Sequence, residues 1–139
     1  MASLLNPYLS FPGTAREAMQ FYQQVFGGEL TLSTYGESGG MADSADADKI
    51  MHAQLETPKG FTLMGSDTPP GMEHTPGGDT ITVALTGDDV DDLRSYFHQL
   101  ADGGTLNMPL EKQVWGDEYG QCVDRFGIPW MANISDPQV

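Results

Sequence analysis

Three histidines, one cysteine and twenty carboxylates are the side chains here with the means to do chemistry. His52 sits in "KIMHAQLE", His74 in "SDTPPGMEHTPGGD" and His98 in "SYFHQL". A strand imidazole can serve as a general base if it reaches a substrate proton. It can equally be a hydrogen-bonded structural residue, so His52 carries both readings. His52, Asp67 and His74 together would be a chemically reasonable distal metal set. His74, in a Pro/Gly stretch, and His98, on a helix, are expected to be solvated. Cys122 has no base beside it and reads as a small buried filler.

Charge narrows the partners. Twenty acidic residues against six basic ones give a formal net charge of −14 and a pI near 4.1. Nucleic acid and anionic membranes require Lys/Arg patches, so neither is an expected partner. The 139 residues suffice for one core, and 39% apolar content predicts a folded chain. No apolar run approaches the ~18 residues of a membrane span. "MASLLNPYLSF" lacks the basic flank and long apolar stretch of a signal peptide, which predicts a cytoplasmic protein. The single cysteine excludes an internal disulfide and agrees with a reducing compartment.

These residues need elements to hold them. "NPYLSF" alternates as a first strand. "TARE" is a capping box, with Thr14 as cap and Glu17 reaching back to its amide. Ala15, Met19, Tyr22 and Phe26 follow at helical spacing until Gly27-Gly28 stops the helix. "ELTLSTY" is a second strand, and "GESGGMADSADAD" has no apolar period and reads as a mobile loop. "KIMHAQLE" and "FTLMGS" flank "TPKG", whose Pro58 and Gly60 suit a three-residue hairpin loop that pairs Thr57 with Phe61. That pairing sets His52, Gln54, Thr62 and Met64 on one face. Met51, Ala53, Leu55, Phe61 and Leu63 fall on the apolar one.

The order then repeats. "SDTPPGMEHTPGGD", residues 66–79, is a Pro/Gly linker, and "DTITVALT" is a strand. Asp88 or Asp89 caps a helix bearing Val90, Leu93, Phe97 and Leu100, which ends at Gly103-Gly104. Three strands follow, at about 105–108, 119–124 and 127–134. Strand, helix, Gly-Gly and three strands thus occur twice, as modules of about 3–67 and 79–135. "DRFG" joins the last two strands with Gly127 in the left-handed position. Period two puts Pro129, Met131 and Asn133 on a cavity face, and Ile128, Trp130, Ala132 and Ile134 under a helix. Trp115, flanked by Gly116 and Gly120, either closes over a ligand or makes a packing contact.

"NPYLSFPGTAREAMQFYQQVFGGEL", "IMHAQL", "LMGSD" and "WGDEYGQCVDRFGIPWMANI" together resemble the PhnB-like branch of the vicinal oxygen chelate (glyoxalase/bleomycin resistance/dioxygenase) superfamily. The resemblance runs over nearly the whole chain. It implies an α+β fold of two βαβββ modules forming a cup-shaped mixed sheet. It also places the usual metal-ligand positions at Pro7, Met64, Thr82 and Met131. None of these suits a hard divalent ion, which takes imidazole or carboxylate, so no metal or other cofactor is expected. His52 matches a histidine common in the branch. The 3-demethylubiquinone methyltransferase label often given to the branch is not supported: no strand here leads into a Gly-rich cofactor loop.

Two functions follow from the resemblance. The first is a binding protein whose cup, lined by Pro7, Tyr8, Phe11, Gln54, Met64, Thr82, Trp115 and Met131, holds a small organic molecule, with His52 as a polar contact. The alternative is a metal-independent lyase or isomerase using His52 as general base. Loss of the ligand positions favours the binding protein. A phosphonate ligand, suggested by the branch's name, would need Arg/Lys in the cavity, and Arg16, Lys49, Lys59, Arg94, Lys112 and Arg125 lie mostly in turns or on helices. A two-fold homodimer burying more than roughly 1,000 Å² is expected.

Overall fold

The computed structural model describes residues 4–78 and 80–135; Ser3 and Asp79, expected at module boundaries, lie outside them. The chain divides into two compact units, Met1–Thr75 and Pro76–Val139. Unit 1 contains β1 (Tyr8–Phe11), α1 (Ala15–Phe26), β2 (Glu29–Thr34), the short α2 (Tyr35–Ser38), β3 (Ile50–Glu56) and β4 (Thr62–Asp67). Unit 2 contains β5 (Val83–Gly87), α3 (Val90–Ala101), β6 (Thr105–Lys112), β7 (Glu118–Val123) and β8 (Pro129–Ile134). The sheets run β1-β4-β3-β2 and β5-β8-β7-β6, each with one parallel pair joining its first and last strands. This is the expected α+β pair of βαβββ modules.

Each helix covers one face of its own sheet. Ala15, Ala18, Met19, Tyr22, Val25 and Phe26 of α1 are buried with Leu9, Phe11, Ala53, Leu55 and Leu63. In unit 2, Leu93, Phe97 and Leu100 of α3 are buried, as are Leu85, Cys122, Trp130, Ala132 and Ile134. Trp130 is core, as period two requires. Ile50 takes the buried place expected of Met51: the register slips between Ser33 and Thr34, and Thr34 pairs with Ile50. The slip is a bulge, which reverses the side-chain alternation at that point.

The Gly-Gly doublets do more than end helices. A Cβ on Gly28 would strike the carbonyl of Glu56, and one on Gly104 that of Val123. Each doublet lets the chain cross the end of the third strand of its own module, which no larger residue permits.

All three hairpins and near-hairpin turns share one loop. Thr57 N–H donates to the Phe61 carbonyl at 3.0 Å, Gln113 to Asp117 at 2.8 Å and Asp124 to Ile128 at 2.9 Å. The third loop residue is a glycine with positive φ in each case: Gly60, Gly116 and Gly127. Thr57 Oγ1 accepts from Phe61 N–H, and Asp124 Oδ1 does the same for Ile128. Trp115 therefore stands within a tight, hydrogen-bonded loop, where Gly116 completes the turn instead of loosening it.

Two expectations are corrected. Thr14 makes no side-chain cap bond to α1; Asp67 Oδ1 accepts from Ala15 N–H at 2.9 Å instead. β6 runs four residues past Met108, to Lys112, because register shifts keep it paired with β7. The stretch read as a loop holds α2 and then a chain of turns, with Gly36 N–H on Ala47 O, Ala47 N–H on Ser44 O, and Lys49 N–H on Asp46 O. Lys49 Nζ also lies 3.0 Å from Asp46 Oδ1. Backbone closure there needs no apolar period.

Asp67 is 2% exposed, and its second oxygen accepts from Ile50 N–H at 2.9 Å. Asp67→Asn would turn an NH2 towards one of these two amides. It should cost about 1.5–3 kcal/mol, the scale of a hydrogen bond to a charged group. Urea unfolding should show a lower midpoint at unchanged slope; an unaltered midpoint would contradict this role.

Candidate binding faces

The face of each sheet away from its helix carries the candidate residues. In unit 1, register sets Tyr8 beside Met64 and Met64 beside Gln54. Ser10 pairs with Ser66, and Ser33 with His52. Tyr8, half exposed, and His52 approach with ring centroids 5.9 Å apart at 35°. Gln54 Nε2 donates to Glu56 Oε1 at 3.2 Å. Beside them, burial pushes the Tyr35 phenol pKa up, Tyr8 and Asp67 add to the rise, and Lys49 opposes it.

Two of the expected positions shift by register. Tyr8, not Pro7, lies across from Met64, and Pro7 is an exposed residue before the strand. Ala84, not Thr82, lies across from Met131, and Thr82 precedes β5. Phe11 does not join this face: it is fully buried with the residues that pack on α1. Strand alternation forces this, since Phe11 follows Leu9 by two and Tyr8 by three.

The open face of unit 2 is built around Tyr119. Gln121 Nε2 donates to Tyr119 Oη at 2.8 Å, and that hydroxyl lies 3.7 Å from Met131 Sδ. Asn133 Nδ2 donates to Asp117 Oδ2 at 2.9 Å. Trp115, 58% exposed, meets Tyr119 edge-on at 6.1 Å and 68°. Arg94 holds Glu118 through Nε at 3.0 Å, tying α3 to the start of β7. Tyr119 and Gln121 were not singled out from sequence. Their alternation with Gly120 and Cys122 was the available signal, because glycine and cysteine pack under the helix.

The duplication is legible in these faces. Met64 with Gln54 and Met131 with Gln121 occupy equivalent register positions. His52 corresponds to Tyr119, which pairs with Asn133. Phenol and thioether groups stand across the parallel strand pairs, and they do not fit a hard divalent ion. Among the described residues no three His, Cys, Asp or Glu side chains gather as a metal set. The combination of His52, Asp67 and His74 is not assembled: both Asp67 oxygens hold backbone amides, and His74 Nδ1 lies 3.1 Å from Thr68 Oγ1.

Cys122 is 1% exposed. Burial, reinforced by Asp124, pushes its thiol up to about 11 from an ordinary 9.0. Between those values the folded chain keeps a proton that the unfolded chain has lost, so stability should fall as pH rises through that window. Urea titrations from pH 8 to 11 should show the decline, shallower in Cys122→Ala. A thiol reagent at pH 8 should modify Cys122 only after unfolding, and rapid modification of the native protein would contradict its burial.

A model of the Glyoxalase/Bleomycin resistance protein/Dioxygenase superfamily matches residues 4–132. Protein YjdN of Escherichia coli is 32% identical over 145 residues, spanning 96% of this chain and 97% of YjdN. The crystal structure of protein PA1353 from Pseudomonas aeruginosa is similar at TM-score 0.84 and 36% identity, covering 97% of this chain and 99% of that one. The PhnB protein from Bacillus cereus, provisionally designated a 3-demethylubiquinone-9 3-methyltransferase, is similar at TM-score 0.71 and 25% identity, covering 96% and 100%. No helix among the described residues is long and apolar enough to cross a membrane.

Proposed function

Because the chain belongs to the glyoxalase/bleomycin resistance/dioxygenase superfamily, we propose that it is a PhnB-like protein that binds a small organic molecule without a metal. The observation that carries this is the pairing across the parallel strands. Tyr8 with Met64, and Ala84 with Met131, offer aromatic and thioether surface where a metal-dependent member needs carboxylate or imidazole. Thioethers adapt to apolar ligands of varied outline, and aromatic rings supply large contact area. Gln54, Gln121 and His52 add polar contacts to those surfaces. Pro7 and Thr82 lie at the margins, and Phe11 supports from the core.

The readout is built in. Trp130 is buried and Trp115 is exposed, so a ligand that changes tryptophan emission should act through Trp115. With 2-naphthol as probe, Trp115→Phe should abolish the change. Met131→Ala should weaken binding roughly tenfold, the loss of about 1–1.5 kcal/mol of buried apolar side chain. Prior treatment with EDTA should leave the affinity unchanged. A tenfold loss on chelation, or no binding by any aromatic probe, would refute the proposal.

A second reading rests on His52, whose ring nitrogens make no hydrogen bond to the described residues. Such an imidazole can serve as general base for a metal-independent lyase or isomerase. Turnover that His52→Ala removes while leaving probe binding intact would move the assignment to enzyme.

We also propose a cytoplasmic two-fold homodimer. The edge strand β6 is exposed for most of its length, with Leu106 at 51% and Met108 at 41% exposure. Pro109 suits an edge strand, yet the apolar residues beside it favour a covering partner. Sedimentation at micromolar concentration should show a dimer; a lone 15.0 kDa species would refute it.

A further inference from the structure

The two open faces differ in how far they satisfy themselves. In unit 2 polar groups bond one another: Gln121 donates to Tyr119 and Asn133 to Asp117. In the equivalent row of unit 1 they do not. Ser10 pairs with Ser66 across β1 and β4, and Ser33 pairs with His52 across β2 and β3. His52 and Ser66 each stand one residue beyond the Ala53–Gly65 pair that joins β3 to β4. The row therefore crosses all four strands, roughly 14 Å at the usual strand spacing.

The hydroxyls of Ser10, Ser33, Ser66 and Tyr8, and both ring nitrogens of His52, make no hydrogen bond to any described residue. No side-chain nitrogen or oxygen among the described residues is fully buried without a partner, so these groups are solvent-accessible. The row presents four hydroxyls and an imidazole beside an aromatic ring, and none of its members is Lys, Arg, Asp or Glu.

From this row we propose that the unit 1 face is a subsite for a neutral, polyhydroxylated group, a claim that rests on the small-molecule-binding reading above. Serine and tyrosine hydroxyls both donate and accept, which matches ligand hydroxyls that do the same. An anion would use only the donors and would approach a chain of net charge −14 with no cation on the row. Tyr8, half exposed beside His52, offers a flat surface for the apolar face of a hydroxylated ring.

The test uses the full chain, with myo-inositol as neutral probe, methylphosphonate as anionic probe and 2-naphthol as apolar probe. Titration of the isotope-labelled protein with myo-inositol should shift the amides of Ser10, Ser33 and Ser66 and the ring resonances of His52. The affinity should not depend on salt. Ser66→Ala and the exposed Ser10→Ala should each weaken it about fivefold, the loss of one hydrogen bond of ~1 kcal/mol. The Ser10 variant carries the test if the Ser66 variant fails to fold. Shifts with methylphosphonate alone, strengthening as salt screens repulsion, would overturn the neutral class. Shifts with neither polar probe, while 2-naphthol still binds, would overturn the subsite and leave the binding reading intact. No shift with any of the three would sink both.

Discussion

The carboxylate of Asp67 is the point on which unit 1 is assembled. It stands at the end of β4 and accepts from the first amide of α1 and the first amide of β3. Three segments distant in sequence are thereby fixed by one side chain. A buried carboxylate is tolerated when amide donors and a helix N-terminus replace its water. The Tyr35 hydroxyl reaches the carbonyl of the same residue at 3.5 Å, so the start of the long turn segment meets the hub as well. With β4 and β3 pinned, the pairing of Tyr8 with Met64 and of Met64 with Gln54 follows. The open face depends on a bond made beneath it.

Unit 2 builds the same architecture with its buried carboxylate moved. The register place of Asp67 is taken by Ile134, which is 1% exposed. The buried acid is Asp124, at the β7–β8 turn: Oδ1 accepts from Phe126 and Ile128, and Oδ2 from Trp130 Nε1 at 2.9 Å. That bond lets the largest core side chain bury its indole N–H without loss. In unit 1 the hairpin position is Thr57, half-buried, and it satisfies only the turn. One carboxylate anchors a helix to a sheet and the other anchors a tryptophan to a turn. The two ladders share one pairing pattern, while the buried acid stands at a different place in each.

The open faces differ in the same manner. Met and Gln persist at equivalent places, while His52 and Ser66 stand where Tyr119 and Asn133 stand in unit 2. One face is internally hydrogen-bonded, through Gln121 on Tyr119 and Asn133 on Asp117. The other leaves its serine and tyrosine hydroxyls and its imidazole without a hydrogen bond to any described residue.

The sequence by itself determined the α+β class, the doubled element order, the TPKG and DRFG turns and the burial of Trp130. All of these are local: period two or 3.6, and glycine at a left-handed turn position, are properties of short windows. It also pointed to His52, Gln54, Met64 and Met131, because hairpin pairing converts spacing into a face. Only the tertiary structure decided the rest. The cap of α1 comes from a residue 52 positions away, so no capping-box pattern could reveal it. Tyr8 replaces Pro7, and Ala84 replaces Thr82, because parallel register is set by a crossover rather than by a turn. Phe11 differs in kind: alternation in the sequence already parts it from Tyr8, and packing against α1 decided only that the face of Leu9 and Phe11 is the core.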